Sequence, residues 1–177
     1  MRIAVVSPHF PTRALPFRGA THDEQMRRFA RAGHDVRAVV PLPWGRRRAD
    51  GARVPAEERD GDLVIAHPRH PAVPRLPRGL RWALERRLFA RAAAEGLRAW
   101  GADPDVVLAH SATLPGGLLG RVGGAAFVVS LYDHELFQTA PRSRRIHAGI
   151  ADTLRRADCA VYLSEALRRE GLEIAGP

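Results

Sequence analysis

Pro104-Asp105-Val106-Val107-Leu108-Ala109-His110-Ser111-Ala112-Thr113 is the stretch that decides the fold. Four apolar residues follow one another without polar alternation, as suits a strand covered on both faces and hence a parallel sheet between helices. Polar residues begin as soon as the run ends. The same form recurs along the chain, in Ile3 to Val6, Val36 to Val40, Leu63 to Ala66, Ala126 to Val129 and Ala160 to Leu163.

Helical patterns separate these runs. Thr21-His22-Asp23-Glu24 has the form of a capping box and opens a helix through Met26, Phe29 and Ala30, which Gly33 ends. A longer helix fits Arg78 to Trp100, with Leu80, Leu84 and Leu88 as its stripe. Shorter helices fit Pro115 to Val122, Arg144 to Ala157 (Ile146, Ile150 and Leu154 facing inward) and Glu165 to Glu170. Strands alternating with helices predict a doubly wound, mostly parallel α/β domain of Rossmann-like form. Pro41 to Asp60 and Pro68 to Pro77 lack periodicity and read as surface loops.

A chain of 177 residues that is 45% hydrophobic suits one domain, residues 1–177. Ile3 to Val6 is too short for a secretory signal and no run approaches a membrane span, so a cytoplasmic location is expected. The single cysteine, Cys159, reads as a buried strand residue. The net charge of +9 comes entirely from arginine, lysine being absent, and much of it sits beside acidic residues on helix faces. A nucleic-acid reader built on Arg46-Arg47-Arg48 would need stacking aromatics or a known reader motif, and neither is present, so no nucleic-acid partner is expected.

In an open parallel sheet, ligands bind beyond the carboxyl ends of the strands. Here those ends carry Ser7, His9 and Thr12; His67, Arg69 and His70; His110, Ser111 and Thr113; Ser130, Tyr132, Asp133, His134 and Glu135; and Ser164 with Glu165. Ser164 reads as a helix N-cap and the pair His67 and His70 as solvated loop residues. His110 and the Tyr132 to Glu135 cluster are the functional candidates, because their strands should be central. His110, His134 and Glu135 offer metal ligands without any paired ligand spacing, so no metal is expected. There is no G-x-S-x-G elbow and no G-x-G-x-x-G after the first strand, so neither a serine triad nor a dinucleotide cofactor is expected.

Five stretches in order resemble one family, the retaining GT-B glycosyltransferases of family four, in their N-terminal domain. Ile3 to Glu24, with Pro8-His9-Phe10-Pro11 and Arg18-Gly19-Ala20, is similar to the family's glycine loop. Arg31-Ala32-Gly33-His34-Asp35-Val36 is similar to R-G-H-E-V, and Pro104 to His110 with Pro115-Gly116 to P-D-V-I-H-A-H and its P-x-G helix. Phe127 to Glu135 resembles V-V-T-x-H-G-x-D, and Ala157 to Ser164 resembles A-D-x-V-I-x-V-S. Two positions depart from the pattern: Tyr132 stands where the family has histidine and Ala20 where it has glycine.

The resemblance implies the acceptor-side half of an enzyme that moves a sugar from a nucleotide-sugar to an acceptor hydroxyl with retention. A C-terminal donor-binding domain would lie outside this chain, and the fragment alone would be inactive. It implies catalytic positions at Tyr132, His134 and Glu135, and substrate-binding positions at Gly19, Ala20, His110, Ser111, Thr113 and Asp133. Partners implied are the donor and an acceptor glycan, lipid or small molecule, with no cofactor beyond the donor. Arg75 to Phe89 interleaves arginines with Trp82, Leu88 and Phe89, a pattern suited either to an anionic membrane surface or to an amphipathic helix packed on the sheet. A ligand-binding domain that kept the fold without the chemistry is the alternative from another class.

Overall fold

The computed structural model describes residues 1–9, 20–46, 53–61, 63–132 and 134–176, with the backbone alone at Ala20, Thr21, His134 and Glu135. Its strands are β1 (Arg2–Val6), β2 (Asp35–Val39), β3 (Leu42–Pro43), β4 (Glu57–Asp60), β5 (Leu63–Ala66), β6 (Arg69–His70), β7 (Val106–His110), β8 (Ala126–Leu131) and β9 (Cys159–Tyr162). Its longer helices are α1 (Ala20–Arg31), α2 (Arg78–Arg98), α3 (Arg144–Arg156) and α4 (Glu165–Ala175).

Seven strands form one sheet in the order β4-β5-β2-β1-β7-β8-β9, parallel except for β4 at one edge. The uniform apolarity of β1 follows from its place at the centre. Ile3 and Val5 join a core with Met26 of α1, while Ala4 and Val6 join a second core with Phe89, Ala93 and Leu97 of α2. Both faces are covered from Ile3 to Val6, which leaves no room for a polar residue there, and Arg2 at the open end of the strand pairs with Asp105. Ile146, Ile150 and Leu154 of α3 close the second core, as their spacing predicts.

The chain runs outward from β1 through β2 to β5, then returns to β7 on the other side of β1 and continues to β8 and β9. The direction of winding therefore reverses between β1 and β7. At such a point the loops leaving the two carboxyl ends diverge and open a crevice.

Several expectations need correction. The helix begins at Ala20, one residue before Thr21, and Glu24 Oε1 ties to Arg28 and Arg31 of its own helix at 2.9 Å each. The buried face of α2 is Phe89, Ala90, Ala93, Ala94 and Leu97, and Leu80 is 48% exposed. Small alanines let that part of the helix lie close on the sheet, whereas the leucine stripe belongs to a different face. Trp82 and Leu88 are half-buried and Phe89 is buried, so the interleaved apolar residues of this helix pack on the protein.

The turn after Leu114 is a single 3-10 turn, Pro115–Leu118, and α4 runs beyond Glu170 to Ala175. The supposed loops contain β3, β4 and β6; β4 gives no apolar signal because its residues are Glu57, Glu58, Arg59 and Asp60, charges that suit an edge strand. Cys159 is exposed because β9 is the opposite edge. Ser164 does cap α4, its Oγ accepting from the Leu167 amide at 3.2 Å.

Candidate functional site

The crevice at the reversal of winding is a cavity of about 430 Å³. Pro8 and His9 reach it from the end of β1, His22 from the first turn of α1, and His110, Ser111 and Thr113 from the end of β7. Tyr132 enters from the end of β8, Thr139 from a π-helical turn at His134–Thr139, and Trp82 and Glu85 from one face of α2. Among the described residues Glu85 is the one carboxylate in this lining and no arginine joins it.

Its centre is a pair of imidazoles. The rings of His22 and His110 lie 3.9 Å apart between centroids, and the Tyr132 ring is 4.9 Å from His22 and 6.4 Å from His110. Ser7 Oγ lies 2.6 Å from the His9 carbonyl, to which it donates its one proton. It then accepts from the His9 amide and from His22 Nδ1, both at 3.1 Å, so the network gives His22 its proton on Nδ1. His110 Nε2 donates to Gln25 Oε1 at 2.9 Å, which leaves Nδ1 as the lone-pair nitrogen.

That nitrogen is buried and has no hydrogen-bond partner among the described residues. The Trp82 indole N–H is in the same position, and both residues line the cleft with these two atoms set behind its surface. A buried polar atom left unpaired is costly, so a hydroxylated ligand that displaces the covering side chains would find an acceptor and a donor there.

Burial holds both imidazoles uncharged. The His22 pKa is lowered from the ordinary 6.5 to about 4, chiefly by burial, against a smaller upward effect of its hydrogen bond to the His9 backbone. Burial also lowers His110 to about 3, helped by its neighbour His22. Neutral imidazoles suit exchange of hydrogen bonds with hydroxyls and do not supply charge to a phosphate.

The loop after β7 is held under strain. Ser111 has φ +129°, the one positive φ at a non-glycine among the described residues, and its Oγ pairs with Thr113 Oγ1 and accepts from the Thr113 amide. Behind it sits the buried guanidinium of Arg86, which donates to the carbonyls of Ala112 and Gly149 at 3.3 and 2.9 Å and to Thr153 Oγ1 at 2.7 Å. Burial lowers its pKa to about 10, and it packs 5.1 Å from the Trp82 ring. One side chain of α2 thus fixes the cleft floor to α3.

Of the residues singled out from sequence, His110, Ser111, Thr113 and Tyr132 come together in the cleft. The backbone of His134 and Glu135 opens the π-helical turn beside it, and Ala20 opens α1. Gly19 and Asp133 lie outside the described residues, as do Arg47 and Arg48. His67 and His70 are buried rather than solvated: His67 bonds the Val40 carbonyl and Glu58, and His70 the Pro71 carbonyl. His22 was not a candidate, although it shares a helical face with Met26 and Phe29 at spacings of four and seven, which places a polar residue on a buried stripe. No three of His, Cys, Asp and Glu among the described residues gather in a metal-holding group.

Three buried histidines have a consequence for stability. His22, His67 and His110 all titrate below 6.5 in the fold, so the unfolded chain binds more protons as pH falls through that value. Their contribution is fully present above about pH 6.5 and declines below it. The thermal midpoint should fall between pH 7 and pH 5, less steeply in His110→Gln; a midpoint flat over that interval would contradict the assignment.

Residues 19–177 match a family model described as a glycosyl transferase 4-like domain. A curated relative, TuaC of Bacillus subtilis (strain 168), named for teichuronic acid biosynthesis as a glycosyltransferase, is 23% identical over 188 aligned residues. The match takes in 99% of this chain and 47% of that protein, so the chain spans about half its relative's length. Among solved structures, sucrose-phosphate synthase from Thermosynechococcus elongatus superposes with a TM-score of 0.63 at 14% identity, covering 94% of this chain and 78% of that one. The α,α-trehalose-phosphate synthase (UDP-forming) of Burkholderia vietnamiensis gives 0.62 at 16% identity, covering 96% of this chain and 40% of that one. No helix among the described residues is long and apolar enough to cross a membrane.

Proposed function

The chain belongs to the glycosyl transferase 4-like domain family, with the Rossmann-like fold of GT-B glycosyltransferases, and from that premise we propose that it is the acceptor-binding half of a retaining glycosyltransferase. The observation that carries the proposal is a cleft at the reversal of the sheet lined by His22, His110, Ser111, Thr113 and Tyr132, with two buried polar atoms, His110 Nδ1 and Trp82 Nε1, unpartnered among the described residues behind its surface.

Glycosyl transfer with retention passes through an oxocarbenium-like state, positive at the anomeric carbon and negative on the departing diphosphate. A domain that binds the acceptor must place one hydroxyl on the face from which the diphosphate leaves, excluding others. His110 Nδ1 accepts that class of hydroxyl, the Trp82 N–H donates to a second, and Ser111 and Thr113 present further hydroxyl partners on a strained, pre-set loop. Tyr132, beside His22, stands where the sugar donated would meet the acceptor, with His134 and Glu135 following it as the remaining catalytic positions.

The diphosphate has a different claim on the molecule. The first turn of α1 begins at Ala20, and the amides of Gly19 and Ala20 are the groups that would face the phosphates, as helix N-termini do. Among the described residues the cleft lining offers no arginine to a diphosphate. In this reading donor affinity is assigned to a second, C-terminal domain. No metal or cofactor besides the donor is required by this reading.

The test is calorimetric titration of the chain with UDP- and GDP-sugars. The expected result is no saturable binding at micromolar donor and no transfer. Micromolar donor affinity in this chain alone would refute the division of labour.

A further inference from the structure

β3 and β6 form a two-stranded parallel sheet beyond the carboxyl ends of β2 and β5. It carries a second cavity, about 400 Å³, lined by Trp44, Arg46, Arg53, Val54 and Arg69 among others. Because β2 neighbours β1, this cavity belongs to the same rim of the main sheet as the cleft, displaced along it. None of its lining residues is shared with the cleft.

The site is built on fixed backbone. The Trp44 amide donates to the His70 carbonyl at 2.7 Å, continuing the β3–β6 ladder, and the Arg46 amide donates to the Pro43 carbonyl at 3.1 Å across a turn in which Gly45 has φ +77°. Arg69 donates to the Val54 carbonyl and ties the opposite wall to the same sheet. On this frame the Trp44 indole stands 63% exposed, an unusual place for so large an apolar ring.

The charge is one-sided. Among the described residues no carboxylate lines the cavity. Glu57 and Glu58, close by on β4, are engaged elsewhere, Glu57 with Arg37 and Arg59 and Glu58 with His67. Guanidinium groups match planar carboxylates and phosphates, while an indole presents a flat face edged by a polar N–H. Basic groups and an exposed indole in one pocket select a ligand that is both cyclic and anionic.

We propose that this pocket is a subsite for an anionic carbohydrate, with a sugar ring against the Trp44 indole and its carboxylate or phosphate held by Arg46 and Arg53. Taking carbohydrate as the ligand rests on the function proposed above. An acceptor long enough to reach from the cleft along the rim would be held at two places. The neutral cleft would read hydroxyls and the basic pocket would read charge.

Calorimetry on the chain at fixed low salt tests this with five probes: a glucuronate-containing disaccharide, its carboxyl-reduced counterpart, glucose 6-phosphate, glucose and inorganic phosphate. The acidic disaccharide or the sugar phosphate should bind at least about tenfold tighter than its neutral partner. Whichever does so identifies carboxylate or phosphate as the source of charge. Trp44→Ala and the double variant Arg46→Gln, Arg53→Gln should each weaken that binding about tenfold, Arg169→Gln, at an exposed arginine of α4, should leave it unchanged, and His110→Leu measures the share that belongs to the cleft. Trp44, Arg46 and Arg53 are exposed, so these variants should fold, as a circular dichroism spectrum will verify.

Equal binding of charged and neutral sugars would overturn the proposal, as would no binding at all. Inorganic phosphate binding as well as glucose 6-phosphate, with Trp44→Ala silent, would reduce the pocket to a bare anion site. A single-stranded oligonucleotide binding more tightly than any sugar, with the same sensitivity to the variants, would assign it to nucleic acid. Binding lost in His110→Leu but kept in the pocket variants would overturn the subsite while leaving the cleft's reading intact.

Discussion

Arg86→Leu should destabilise the domain by about 3 kcal/mol, as removal of a buried, charged hydrogen-bond donor that serves several acceptors does. The guanidinium joins Ala112 after β7 to Gly149 and Thr153 of α3, three acceptors from two segments far apart in the chain. Leucine fills much of the volume and satisfies none of them. The Ala112 and Gly149 carbonyls would lose their charged partner, and Trp82 would lose the cation packed 5.1 Å from its ring. Urea unfolding should show a lowered midpoint with an unchanged slope, and hydrogen exchange should quicken at Ala112 and Thr113. A midpoint equal to that of the unaltered chain would show that Arg86 is not the tie between cleft and core.

Gly149 makes the same point from the other side. A Cβ there would stand 2.3 Å from Trp82 Cη2 and 3.1 Å from Arg86 Nη1. The glycine lets α3 close on the tryptophan that lines the cleft, so core packing and site geometry depend on the same contact.

His110→Leu should lower transfer by between about ten- and a hundredfold in the complete transferase, the range expected when a substrate hydroxyl loses a buried partner. Leucine approximates the imidazole's volume, so the fold should survive. It removes the Nδ1 acceptor and leaves Gln25 Oε1 without its donor. Gln25→Leu is a positioning variant and should act more weakly, because it frees the ring without deleting the acceptor. If the loss falls on acceptor KM or kcat while donor KM holds, the cleft is on the acceptor side. A loss confined to donor KM would place His110 on the donor instead.

The fold was legible because continuous apolar runs such as Val106 to Ala109, too short for helices and alternating with helical patterns, suit strands covered on both faces. Helices were legible where large residues repeat, as in Ile146, Ile150 and Leu154. They misled where alanine does the packing: the face of α2 that meets the sheet carries Ala90, Ala93 and Ala94, which weigh little in any periodicity beside an exposed Leu80. Edge strands were hidden for an opposite reason, since β4 is made wholly of charged residues and joins the sheet through its backbone ladder with β5.

The cleft was legible by half. The rule that ligands gather beyond strand ends found His110, Ser111, Thr113 and Tyr132, because those residues follow their strands directly. It put His67 and His110 on equal terms, since both follow apolar runs, and the reading of His67 as a solvated loop residue separated them for the wrong reason, since it is buried. Hydrogen bonding separates them: His67 turns its ring onto the Val40 carbonyl and Glu58, whereas His110 keeps one nitrogen unpartnered among the described residues. His22 arrives from a helix rather than a strand end, and the signal that would have found it is a histidine in register with the buried Met26.

Side-chain nitrogen NMR of the histidines, recorded while the chain is titrated with a panel of neutral and acidic mono- and disaccharides, bears most directly on the cleft as a carbohydrate site. At least one sugar should move His110 Nδ1 and the Tyr132 ring together, with neither moving in His110→Leu on addition of the same sugar. Sugars that bind while leaving His110, His22 and Tyr132 unmoved, or a panel in which none binds, would contradict it.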